Sequence, residues 1–120
     1  MSEQMAMDWG LLERLCGDQH DFMRHLIALY IEDTRRDQSE LEGAYARGEL
    51  EAVERIAHRM RGAAKTIGAE RVALSCHQLQ FALKGNEHGH GARELTLLGR
   101  ELEALFALLA GHMDTLDGAR

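Results

Sequence analysis

The chain has 120 residues, enough for one domain with one core and too few for a second fold beside it. A net charge of −6 argues against a nucleic-acid or anionic-membrane surface, because such surfaces need clustered Lys and Arg to displace counterions; the expected partner is another protein. Cys16 and Cys76 have no paired spacing and no secretory signal before them, so a disulfide framework or zinc site lacks support and a reducing cytoplasm is the expected setting. No apolar run approaches the roughly 20 residues that cross a bilayer, and Met1 to Gln4 reads as a polar leader.

Proline is absent and the apolar residues are mostly Leu and Ala with few aromatics, a mixture that suits helices. In chain order, Trp9, Leu11, Leu12 and Leu15 form a short apolar piece that ends at Gly17, a candidate lid helix. From Asp18, read as an N-cap, Phe22, Leu26, Leu29, Tyr30, Leu41 and Ala44 mark the apolar stripe of a long helix that stops near Gly48. A second periodic stretch, from about Glu49 to Ile67, carries Leu50, Val53, Ile56, Ala57, Met60, Ala63, Ala64 and Ile67, then meets Gly68. A third runs from about Glu70 to Lys84 with Val72, Ala73, Cys76, Leu79 and Leu83 as its buried stripe, and the glycines around Asn86 break it. The fourth, about Ala92 to Met113, is built on Leu95, Leu98, Leu102, Leu105, Phe106 and Leu109. Short turns between amphipathic helices predict an all-α fold, an antiparallel up-down-up-down four-helix bundle with a short additional N-terminal helix. Residues 1–120 are expected to form one domain with a core of about 8–113, residues 1–5 and 114–120 being flexible.

The informative segment runs from Ala57 to Ala69. At about 100° per residue, Met60 lies about 160° around the helix from His58, whereas Arg61, Gly62 and Lys65 lie within about 60° of it. Val53, Ile56, Met60, Ala63 and Ile67 form the inward stripe, so His58 is expected to point outward. A neutral imidazole nitrogen is a nucleophile for phosphoryl groups, and histidine side chains are substantially neutral near pH 7. Arg61 and Lys65, one and two turns on, put positive charge where a transferring phosphoryl group carries negative charge, and Arg59 flanks them. Gly62 has no core position to justify its cost of roughly 0.5–1 kcal/mol in a helix, which points to close approach of a partner.

The segment resembles the signature of the histidine-containing phosphotransfer (HPt) family: an Ala-His pair, here Ala57 and His58, with a basic residue at Arg61, glycine at Gly62, alanine at Ala64 and glycine at Gly68. The likeness continues through Leu74, Cys76 and Leu79, and upstream through Gly17-Asp18 and Ala44 to Glu49, covering about residues 8 to 110. With Lys65 it is similar to the HPt domains that end hybrid sensor kinases. Arg61 stands where the family usually has lysine, which keeps the charge but exchanges a compact ammonium for a planar fork. Gln80, much further along the chain, is expected to lie too far away to affect the chemistry directly.

The resemblance implies a carrier with no kinase activity of its own. It would receive a phosphoryl group on His58 from one receiver aspartate and donate it to another, with no cofactor on this chain and Mg²⁺ supplied by the receiver. The receiver is expected to cover Gly62 and Arg55 and part of the preceding helix at Arg24, His25 or Ala28, the chain acting as a monomer. Cys76 reads as a core residue. Glu87-His88-Gly89-His90 has a Glu-x-x-His spacing, but a di-iron bundle needs two such motifs on facing helices, so no metal site is expected. The alternatives from other classes are a helical adaptor that is never phosphorylated and a metal-binding bundle.

Overall fold

The structure is a computed structural model that describes residues 6–85 and 91–118. Five α-helices follow in order: α1 (Trp9–Cys16), α2 (His20–Ala46), α3 (Leu50–Ile67), α4 (Glu70–Ala82) and α5 (Ala92–Gly118), with a 3₁₀ turn at Leu83–Gly85 after α4. Each of α2 and α4 packs against both α3 and α5, which closes the ring of a four-helix bundle. Leu41, Val53, Met60, Leu79, Leu102 and Leu109 are fully buried inside that ring.

The stripes predicted for α3 and α4 are buried at Val53, Ile56, Ala57, Met60, Ala64 and Ile67 on α3, with Leu50 and Ala63 only partly buried, and at Val72, Ala73, Cys76, Leu79 and, just beyond, Leu83. On α2 the predicted stripe holds at Tyr30, Leu41 and Ala44, but its first part is out of phase. Met23, Ile27, Tyr30, Thr34, Leu41 and Ala44 face inward, whereas Phe22 and Leu29 are exposed. Apolar residues occupy so many neighbouring positions between Phe22 and Ile31 that periodicity alone supports either phase there.

The start of α2 also shifts. Gln19, not Asp18, is the N-cap residue, and no side chain caps the helix. Gly17 turns the chain at φ 61° and the Gln19 N–H donates to the Cys16 carbonyl, which leaves Asp18 inside the connection. At the other end of the chain, α5 runs on to Gly118 rather than stopping at Met113. Leu116 is buried and Asp117 pairs with Arg24 at 2.9 Å, so this last turn is tied to α2.

Helix α1 lies against the bundle end where α3 turns into α4. The Asp8 carboxylate accepts from the Leu11 N–H at 3.0 Å, and the Asp8 N–H donates to the Gly68 carbonyl at 2.8 Å. Gly68 has φ 91°, and a Cβ there would stand 2.9 Å from the Asp8 carbonyl oxygen, so both backbone conformation and close approach demand glycine. Trp9 stacks on His112 of α5, ring centroids 4.2 Å apart. Among the described residues, no helix is long and apolar enough to cross a membrane.

Candidate functional site

The buried stripe of α3 sets the direction of every other side chain on that helix. Ala57 and Met60 are inside, and His58, between them in sequence, is exposed on the outer face. It lines a shallow depression of about 310 Å³ with Glu51, Glu54 and Arg55 of its own helix and Gln80 of α4. Gln80 is therefore a neighbour of His58, contrary to the expectation from its place in the chain. Its amide oxygen is buried and has no hydrogen-bond partner. The α3–α4 crossing brings it there, and that crossing leaves no mark in local periodicity.

Arg61 and Lys65 line a second cavity of about 320 Å³, formed with Gly68, with Leu11 of α1, and with Glu70, Ala73, Leu74 and His77 of α4. Both cations thus share the outer face of α3 with His58 and lean toward α4. Gly62 is exposed, and a Cβ built on it would meet nothing within 4 Å. The helix leaves a bare patch there, one turn beyond the imidazole. The Thr66 hydroxyl donates to the Gly62 carbonyl at 3.0 Å along the helix.

Arg59 does not join the cations. It turns to α2, where its guanidinium meets Asp37 at 2.7 Å and Glu40 at 2.9 Å. These two hydrogen-bonded carboxylates raise its pKa above the usual arginine value, holding it as the cation of an α2–α3 clasp. Arg55 stays beside His58, but His25 and Ala28 do not. Relative to Asp37 they lie roughly two and a half to three and a half turns farther along α2. Ala28 is one turn from Arg24, whose bond to Asp117 marks the side of α2 that faces α5.

Cys76 is fully buried, and burial pushes its thiol up to about 12, with Arg61 pulling the other way. A buried, protonated thiol is a poor nucleophile near neutral pH, in keeping with a core role for Cys76. Among the described residues no group of three or more His, Cys, Asp and Glu side chains converges as metal ligands would. Glu87, His88 and His90 lie outside the described residues.

An exposed helical histidine flanked by cations and a bare glycine is the arrangement the HPt pattern specifies, and the Hpt domain family matches residues 25–115. The chain belongs to the Hpt domain family. Its bundle superposes on the crystal structure of histidine-containing phosphotransfer protein B from Pseudomonas aeruginosa PAO1 with a TM-score of 0.84, at 19% sequence identity, over 94% of this chain and 98% of that one. No curated protein matches the chain. Family membership assigns it a phosphotransfer role in two-component signalling.

Proposed function

We propose that His58 is the phosphoacceptor of a phosphorelay intermediary, taking a phosphoryl group from the aspartyl phosphate of one receiver domain and passing it to the aspartate of another. The observation that carries this reading is the exposed imidazole on α3 with Arg61 and Lys65 on the same face and nothing built over Gly62. A neutral ring nitrogen forms the N–P bond as the P–O bond to the aspartyl carboxylate breaks, and the positive charge left on the ring departs with the proton of its other nitrogen. Reversal of the same step delivers the group onward. Arg61 and Lys65 offset the charge of the phosphoryl oxygens in transit. The chain contributes no kinase chemistry and no metal. Mg²⁺ belongs to the receiver, and the protein works as a cytoplasmic monomer.

The test is incubation with receivers carrying labelled aspartyl phosphate. Label that is acid-labile and base-stable, and that maps to the peptide containing His58, is the expected result. A receiver that binds without transferring label would instead make the chain a non-phosphorylated adaptor. Arg59 gives a companion prediction. The Arg59 side chain is half exposed and that of Glu40 mostly so, and water screens the clasp, so Arg59→Ala is expected to lower stability by only about 0.5–1 kcal/mol in thermal melts. Transfer should proceed at the wild-type rate. A tenfold slower rate would return Arg59 to the phosphoryl site.

A further inference from the structure

Arg24, Arg35, Arg36, Arg47 and Arg59 are each paired with a carboxylate. Arg61 and Lys65 differ: among the described residues neither has an ion pair or a hydrogen bond, although both line the cavity of about 320 Å³ between α1, α3 and α4. Most of the remaining lining is apolar. Leu11 comes from the lid helix, Ala73 and Leu74 come from α4, and Gly68 supplies backbone at the turn. The Asp8 bonds to Gly68 and Leu11 hold α1 in place over this turn, and they engage the Asp8 carboxylate with the Leu11 N–H. His77 stands on the α4 side of the cavity, and Glu70 is the one carboxylate of the lining. His58 lines a separate depression, where Glu51 and Glu54 face a single cation, Arg55. An organic anion is therefore favoured in the α1–α3–α4 cavity and disfavoured in the depression.

We propose that this cavity binds a small organic anion, with its carboxylate or phosphate head on Arg61 and Lys65 and its apolar body against Leu11, Ala73 and Leu74. Concave apolar walls with a few charged groups at one side are the composition of small-molecule sites, and the volume is at the lower end of their range of about 300–1,000 Å³. The guanidinium and the ammonium both donate charge-assisted hydrogen bonds to such a head. Glu70 repels a second anionic group, so the ligand is charged at one end only. Occupancy also withdraws both cations from phosphoryl transfer, a consequence that rests on the phosphoacceptor reading of His58.

The experiment titrates the full chain with 3-phenylpropionate, and in parallel with phenyl phosphate, while amide resonances are followed by NMR. Saturable shifts at Leu11, Gly68, Ala73 and Leu74 are expected, and the tighter of the two probes identifies the preferred head. The uncharged match, 3-phenylpropanol, should bind at least about tenfold more weakly, as loss of charge-assisted hydrogen bonds predicts. The double variant Arg61→Gln, Lys65→Gln should lose about tenfold or more in affinity for the same reason. Lys84→Gln with Arg93→Gln removes equal charge elsewhere and should stay within about twofold of wild type, since exposed charges at a distance are screened. Circular dichroism checks that both double variants remain folded. Equal binding of 3-phenylpropanol, shifts scattered over the surface without saturation, or undiminished affinity after loss of Arg61 and Lys65 overturns the proposal. Labelling of His58 by a phosphorylated receiver should slow at saturating 3-phenylpropionate, and an unchanged rate overturns the effect on transfer. A chain that binds the probe but is never labelled at His58 refutes the phosphoacceptor reading and leaves the anion site standing.

Discussion

His58→Gln is expected to take up no phosphoryl group from any receiver, while melting at the same temperature as wild type. The side chain is exposed and no core position depends on it, so glutamine, a better helix former than histidine, fits the same place on α3. The amide has no nitrogen lone pair available for attack, which makes the loss complete rather than partial. His20 and His25 remain exposed in the variant and serve as internal controls. They lack the arrangement of His58, in which two cations and an uncovered glycine share one helix face, so they should stay unlabelled. Labelled His58→Gln protein would show that the reactive histidine lies elsewhere.

The contrast between these histidines shows what was legible in the chain and what was not. The outward direction of His58 follows from the 3.6-residue period of Val53, Ile56, Met60 and Ile67, and the stripe of α4 could be read the same way. On α3 one narrow apolar face fixes the phase locally, whereas α4 carries the buried stripe of Val72, Cys76 and Leu79 with Leu74 and Phe81 exposed on its outer side. On α2, Phe22, Met23, Leu26, Ile27, Leu29, Tyr30 and Ile31 spread around the helix, and only packing against α3 and α5 decides that Phe22 and Leu29 remain outside. Partners across helices were less accessible still. Arg59 looks like a third cation of the site until Asp37 and Glu40 come alongside, and Gln80 looks remote until α4 folds back along α3. Charge along one helix is visible in a sequence, but which neighbour neutralises it is a property of the assembled bundle.

Gly62 offers the sharpest separation of function from fold. A glycine inside a helix costs about 0.5–1 kcal/mol relative to alanine, and at this position a Cβ would meet no atom within 4 Å. Gly62→Ala is therefore expected to raise stability by about that amount in chemical denaturation. Gly62→Trp should also remain folded, because the added ring projects into solvent from an exposed position. Its effect falls on the partner. A ring placed one turn beyond His58 holds an approaching receiver several ångströms away from the imidazole, too far for in-line attack, which needs reacting atoms about 3–3.5 Å apart. Transfer should fall by at least about a hundredfold, the scale of loss that small misplacements of reacting groups produce. Far-UV circular dichroism should not change. Small phosphodonors such as phosphoramidate bring no protein surface with them, and they should still label His58 in the same variant. If Gly62→Trp loses both routes equally, the residue supports the conformation of α3 itself; if it loses neither, no partner comes close to that face.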